Sequence, residues 1–210
     1  MFKGLRTLQK LADEKITAVV RGDTPEEAEA IAVGCIEGGV KSIEVTFTTP
    51  GADDIIRSLK KEHPECLTGA GSVLDPETAR LAMLAGADYV VSPCFDKETA
   101  MICNRYHVPY IPGCMTVKEM KEASEYGADL IKLFPGNHFA PGMIKAVKGP
   151  LPTVEIMPTG GVNLENMQDW LDAGAAAVGV GSEWNKAYKS HGQEGVRQAA
   201  EDFVSKLDRK

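Results

Sequence analysis

The sequence predicts an α/β fold, a single-domain (β/α)8 TIM barrel with an N-terminal leading helix. Three observations carry that expectation. Short apolar or alternating segments recur eight times, each followed by a stretch with helical start signals. The joints repeat as well: Gly39-Val40, Gly86-Ala87-Asp88, Gly127-Ala128-Asp129 and Gly174-Ala175-Ala176 each fall between a helix and the next strand, where a left-handed C′ residue suits glycine. No long break divides the 210 residues, a length near the lower end for such a barrel. One domain, 1–210, therefore divides into a leading helix (1–15), the barrel (16–184) and a closing segment (185–210).

In order, Met1 to Glu14 has Phe2, Leu5, Leu8 and Leu11 at helical spacing. Ile16 to Arg21 reads as the first strand, and Asp23-Thr24-Pro25-Glu26-Glu27 as a helix start with Pro near N1 and acids in the first turn. Ser42 to Phe47 is the second strand, followed by a helix from Pro50 to about Lys61. Strands at Leu67 to Val73 and Tyr89 to Pro93 flank a helix opened by Asp75-Pro76-Glu77. A helix from Asp96 to Tyr106 leads to a strand at Tyr110 to Cys114, then a helix from Thr116 to Tyr126 leads to Leu130–Pro135. A helix near Pro141 to Val147, a strand at Glu155 to Gly160, a helix from Asn163 to Ala173 and a strand at Ala177 to Gly181 follow. Gln193 to Leu207 is the closing helix. A doubly wound open sheet is the alternative, but Gly69-Ala70-Gly71 and Gly179-Val180-Gly181 both lack the third glycine of the dinucleotide fingerprint.

Composition bounds the function. Hydrophobic content of 43% and charged content of 25% are those of an ordinary globular chain. A formal net charge of −7 argues against nucleic acid or an anionic membrane as the main partner, though a locally positive site can still take an anionic metabolite. Met1 to Lys15 is charged throughout and has no apolar core of a signal peptide, and no apolar run reaches membrane-spanning length. Five cysteines, an odd number without C-x-x-C spacing, fit reduced thiols and a cytoplasmic location.

Two charged residues stand in the middle of strands. Lys132 sits in the apolar run Leu130-Ile131-Lys132-Leu133-Phe134-Pro135. Desolvation disfavours its ammonium form, and a neutral amine forms a Schiff base with a carbonyl substrate. A snorkelling lysine is the alternative for the strand taken alone. In strand two, Ile43, Val45 and Phe47 share the face that packs against helices, so Ser42, Glu44, Thr46 and Thr48 face the barrel interior. Strands two and six lie across the interior from each other, so Lys132 and Glu44 can meet over its centre. A buried salt bridge is the competing reading, but opposed titrating groups at the C-terminal face of a barrel mark a functional site.

Strand seven ends in Pro158-Thr159-Gly160-Gly161 and strand eight in Gly179-Val180-Gly181-Ser182. Barrels bind phosphate with the loops after those strands, through backbone N–H groups and a helix N-terminus. Tight turns are the other use of such glycines. His63, His107, His138 and His191 form no metal-ligand spacing. Cys103 and His107 are expected on the outer ring, and His138 near the mouth.

The segments Ile43-Glu44-Val45-Thr46, Gly69-Ala70-Gly71-Ser72-Val73, Ser92-Pro93, Ile111-Pro112-Gly113, Lys132-Leu133-Phe134-Pro135 and Pro158-Thr159-Gly160-Gly161 occur in that order. Over residues 16 to 184 the chain resembles the KDPG/KHG aldolases, Schiff-base enzymes that cleave 2-keto-3-deoxy-6-phosphogluconate or 4-hydroxy-2-oxoglutarate. The resemblance implies a homotrimer that uses neither metal nor organic cofactor. It implies Lys132 as the Schiff-base lysine and Glu44 as the general acid/base, with Ser72, Pro93 and Phe134 at the substrate and Gly160, Gly161 and Ser182 at its phosphate. On the same strand ends, Thr159 is a further candidate for the substrate and Gly181 for the phosphate. Two positions depart from the family pattern: Thr48 stands where many members carry a carboxylate-binding Arg, and Cys94 where Gly commonly follows Ser-Pro. Arg21, at the end of strand one, is the expected replacement clamp, set against an ordinary surface arginine paired with Asp23 or Glu26. The galactonate-derived substrate, a phosphosugar isomerase or epimerase, and a non-catalytic phospho-ligand-binding barrel are the alternative functions.

Overall fold

The expected strands form, and one of them divides. A computed structural model describes residues 2–208; Met1 of the expected leading helix and residues 209 and 210 of the closing segment lie outside it. The elements run α1 (Lys3–Glu14), β1 (Ile16–Val20), α2 (Pro25–Glu37), β2 (Ser42–Thr46), α3 (Ala52–Glu62), β3 (Leu67–Gly71), α4 (Pro76–Ala85), β4 (Val90–Val91) and α5 (Lys97–Tyr106). They continue with β5 (Tyr110–Ile111), β6 (Gly113–Cys114), α6 (Val117–Glu125), β7 (Leu130–Leu133), α7 (Gly142–Lys148), β8 (Glu155–Pro158), α8 (Met167–Asp172), β9 (Val178–Val180) and α9 (Ser182–Asp208).

The helix starts explain themselves. Thr24, Asp75, Asp96 and Thr116 each accept the N–H of the residue three positions on, at 3.2, 2.6, 2.6 and 3.2 Å. Each such cap contributes about 1 kcal/mol by satisfying an orphan donor. The Thr116 N–H in turn donates to the Glu119 carboxylate at 2.8 Å, completing a capping box ahead of α6. At the other ends, Gly86 closes α4 at φ 103°, as the repeated joint predicts.

The strands pair in parallel in two sheets, β5-β4-β3-β2-β1-β9 and β6-β7-β8. The expected strand Tyr110 to Cys114 passes from one sheet to the other at Pro112, which has no N–H to give to a ladder. Its carbonyl still accepts the Lys132 N–H at 2.9 Å. At the other end, an isolated parallel bridge pairs Thr159 after β8 with Gly179 of β9.

Two apolar clusters follow from the strand alternation. The outer one packs Ile43, Val45, Ile131 and Leu133 against the helices. The inner one joins Leu67, Tyr89, Val91, Ile111, Leu130, Met157 and Ala177, which lie in or directly before strands of both sheets. The six-stranded sheet therefore curls around an interior that it shares with the three-stranded one. Leu11 of α1, 1% exposed, belongs to this inner cluster and plugs it at the N-terminal ends of the strands.

The closing segment differs from expectation. Helix begins at Ser182 and breaks at His191 and Gly192, so the expected helix from Gln193 to Leu207 is the second arm of a kinked pair. Trp184 in the first arm accounts for the early start: it is fully buried, and its indole N–H donates to the Val180 carbonyl at 2.7 Å. Among the described residues no helix is long and apolar enough to cross a membrane.

Candidate active site

Lys132 projects into the interior because its neighbours Ile131 and Leu133 belong to the outer core. Its side chain is 6% exposed, and its Nζ lies 3.3 Å from Oε1 of Glu44, which is fully buried. The pair stands on β7 and β2, which belong to different sheets, and meets across the interior that the two sheets share. The ammonium also faces the Phe134 ring at 5.2 Å from its centroid, within cation–π range. The second oxygen of the carboxylate, Oε2, is buried without a hydrogen-bond partner among the described residues. Burying two charges with one acceptor left unsatisfied costs several kcal/mol relative to an apolar pair of the same shape. As a purely structural bridge this arrangement is poor; as a pair awaiting a polar reactant it is consistent.

Glu44 is held on the Lys132 side by what β3 lacks. A Cβ added at Gly71 would stand 2.2 Å from Glu44 Oε1, so the glutamate lies across that glycine. Sequence reasoning did not single out Gly71, although the alternation that turns Glu44 inward turns Gly69 and Gly71 to one face too. Ser72 follows directly, half-buried and in the left-handed region at φ 57°, a conformation uncommon for a residue with a Cβ.

The remaining residues lie around this pair. A Cβ at Gly113, the register partner of Lys132, would fall 2.1 Å from the Pro93 carbonyl oxygen, so the half-buried Pro93 borders the lysine row. Phe134 is half-buried beyond Lys132. Thr159 is 5% exposed with its hydroxyl unpartnered among the described residues, and its side chain covers Gly179. Gly160 and Gly161 have φ of 96° and 74°, and the Thr159 carbonyl accepts the Gly136 N–H at 2.7 Å. Gly181 and Ser182 open α9, one strand over from Thr159 across its bridge to Gly179.

Arg21 and Thr48 stand at the same end of β1 and β2, both exposed, and neither bonds Lys132 or Glu44. The Gly22 N–H donates to Thr49 Oγ1 at 3.2 Å and ties those two strand ends together. Thr48 and Thr46 share a hydroxyl contact of 3.1 Å. The Arg21 guanidinium makes no ion pair with Asp23 or Glu26 among the described residues. His138 is exposed on a 3-10 turn at Gly136–His138, and Cys103 is buried beside an exposed His107 on the outer ring. A cavity of about 540 Å³ lined by Leu5, Leu8, Val108 and Pro109 lies beside α1, away from the lysine, so buried charge rather than cavity size marks the site.

Comparison with known proteins decides the family. The profile described as KDPG and KHG aldolase matches residues 8–197. This chain belongs to that family. As a KDPG/KHG aldolase it is an aldehyde-lyase. It is 35% identical over 191 residues to the 2-dehydro-3-deoxy-6-phosphogalactonate aldolase of Escherichia coli K12, covering 90% of this chain and 92% of that one. It is also 35% identical over 180 residues to the 2-dehydro-3-deoxy-phosphogluconate aldolase of Haemophilus influenzae, covering 84% of each. Among solved structures, the KDPG aldolase of Legionella pneumophila with pyruvate captured as a covalent carbinolamine superposes with a TM-score of 0.83. That match has 30% identity and covers 96% of this chain and 97% of that one.

Proposed function

We propose that this aldolase cleaves 2-keto-3-deoxy-6-phosphogluconate to pyruvate and glyceraldehyde 3-phosphate, with Lys132 as the Schiff-base nucleophile and Glu44 as the proton shuttle. The observation that carries the assignment is the buried Lys132–Glu44 contact of 3.3 Å, with a carboxylate oxygen left over. Proton transfer within the pair removes both buried charges and leaves a neutral amine, the form that attacks. The amine adds to the C2 carbonyl to give a carbinolamine, and Glu44 returns its proton to the departing hydroxyl, which leaves as water to give an iminium and a free carboxylate. Glu44 then takes the proton of the C4 hydroxyl, the C3–C4 bond breaks into the iminium as electron sink, and the aldehyde leaves. The enamine is reprotonated at C3, and water releases pyruvate and the lysine.

In this reading the two sheets are arcs of one single-domain (β/α)8 barrel, joined through Pro112 and the Thr159–Gly179 bridge. The mouth then holds Ser72, Pro93, Phe134 and Thr159 at the pyruvate end and Gly160, Gly161, Gly181 and Ser182 at the phosphate. Gly160 and Gly161, both turned into positive φ, and the start of α9 supply N–H donors suited to a phosphate. Glu183, the acid in that first helical turn, is paired with Lys186 at 2.7 Å, which reduces its repulsion of an anion. A homotrimer belongs to the same reading, supported by exposed Leu81, Leu84 and Met101 on the neighbouring α4 and α5. Five unpaired cysteines, four of them buried, support a reducing, cytoplasmic setting.

The galactonate-derived ketoacid is the second reading, favoured by the 35% identity to the E. coli enzyme named for it. The experiment is a substrate panel in an assay for released pyruvate: both phosphorylated ketoacids, and 4-hydroxy-2-oxoglutarate. Cleavage fastest with the gluconate derivative supports the proposal; preference for either other ketoacid overturns its substrate and leaves the lysine chemistry standing.

A further inference from the structure

Two successive inward positions of β3, Gly69 and Gly71, carry no side chain, and residues from the flanking strands fill the space. A Cβ at Gly71 would stand 2.2 Å from Glu44 Oε1, and one at Gly69 would stand 2.2 Å from Tyr89 Cε2. Glu44 pairs with Gly69 in the β2–β3 register. On the other side Ala70 pairs with Val90, and the Ala70 N–H donates to the Tyr89 carbonyl at 3.0 Å, which sets Tyr89 beside Gly69. Glu44, Gly69 and Tyr89 thus form one row across three strands. The Tyr89 ring crosses Gly69 towards β2, where its hydroxyl meets Ser42 Oγ at 2.9 Å; Ser42 Oγ in turn meets Thr17 Oγ1 at 3.1 Å. Tyr89, Ser42, Thr17 and Glu44 all have 0% exposure.

The ring therefore fills the slot level with the Glu44 backbone, and the glutamate is left with the slot at Gly71, towards Lys132. We propose that Tyr89 is a positioning residue for the reaction: by occupying the Gly69 slot it holds the Glu44 carboxylate at Gly71, within reach of Lys132. Without the ring, a second staggered position for Glu44 opens beside Gly69, away from the lysine. The hydroxyl chain through Ser42 and Thr17 fixes the tilt of the ring, and every hydroxyl in it has a partner. Burial first, and the Glu44 charge second, push the Tyr89 phenol well above its ordinary range, which keeps it a neutral packing group beside the carboxylate.

This inference rests on the assignment of Lys132 and Glu44 above, so its test reads the two steps separately. Imine formation is measured by borohydride trapping with pyruvate, and proton transfer by deuterium exchange into the pyruvate methyl group in D2O. The variants are Tyr89→Leu, which empties the slot, and Tyr89→Phe, which keeps the ring; Tyr89→Met, which keeps more buried volume, replaces Tyr89→Leu if that variant does not fold. Expected is trapping within about threefold of wild type in all, with exchange slowed about ten- to a hundredfold in Tyr89→Leu, part of what loss of a general base costs. Tyr89→Phe stays within about threefold in exchange. A wild-type ratio of exchange to trapping in Tyr89→Leu or Tyr89→Met overturns the proposal, as does a Tyr89→Phe variant equally slow, which would assign the effect to the hydroxyl. Absence of any Lys132 adduct in the wild type would sink the aldolase assignment itself. Normal trapping, slow exchange in Glu44→Gln and no effect at Tyr89 would sink this inference alone.

Discussion

Lys132 Nζ lies 3.3 Å from Glu44 Oε1 although 88 residues separate them, and both side chains are buried. Curling β2 and β7 around one interior makes that contact. Its chemical value lies in being incomplete. One carboxylate oxygen has no hydrogen-bond partner among the described residues, so the pair has capacity for a proton or a substrate hydroxyl that a saturated salt bridge lacks.

Replacing Glu44 with glutamine keeps the shape and removes the base. Glu44→Gln is expected to retain a borohydride-trapped pyruvate adduct while turnover falls by about two to four orders of magnitude. Single-turnover trapping beside steady-state pyruvate release checks this. A variant that turns over within a few-fold of wild type would take the proton shuttle away from Glu44.

At the phosphate end, Gly161 has φ 74° and a Cβ there would stand 2.8 Å from Asn137 Cβ. Gly161→Val is therefore expected to displace the loop, raising KM for a phosphorylated ketoacid at least about tenfold while 4-hydroxy-2-oxoglutarate changes little, since loss of one charge-assisted contact costs about 1.5–3 kcal/mol. Equal rises for both substrates would move the phosphate elsewhere.

Strand alternation alone makes much of this site legible in the sequence. Ser42, Glu44 and Thr46 face inward because Ile43 and Val45 do not, and that was legible in six residues. The division at Pro112 was not, since a proline at a strand position is compatible with an edge, a bulge or a break until the partner strand is known. Nor was the Tyr89 row, because Glu44, Gly69 and Tyr89 become neighbours only through the registers of three strands. The early start of α9 at Ser182 depends on Trp184 reaching back to Val180, a contact that helical periodicity after Gln193 does not reveal.

Substrate carboxylate binding is expected to involve Arg21, which stands at the end of β1 beside the Thr49 loop without an ion pair to Asp23 or Glu26. Arg21→Lys keeps the charge and loses the fork, and should weaken pyruvate binding about three- to tenfold with the fold intact. Adding Thr48→Arg should restore part of the loss. Pyruvate affinity unchanged in Arg21→Lys, measured by calorimetry, would leave the carboxylate to neutral donors.

Thiols report the fold's response to alkali. Burial pushes Cys103 and Cys114 up to about 12 from an ordinary 9.0, whereas Cys94 is exposed. Above pH 9 the unfolded chain releases these protons and the folded chain retains them, so the stabilisation is full below pH 9 and declines as pH rises towards 12. Thermal melts from pH 8 to 11 should show a falling midpoint, with a shallower fall in Cys103→Ala. At pH 8 a disulfide reagent should label one thiol, Cys94, rapidly in the folded protein. Rapid labelling of all five, or a midpoint indifferent to pH, would contradict this burial pattern.

The central claim is that Lys132 is the nucleophile, and covalent trapping tests it most directly. Incubation with pyruvate and borohydride followed by peptide mapping should place one stable reduced adduct on Lys132, and none in Lys132→Met. An adduct confined to another lysine, or no adduct at all, would contradict the assignment.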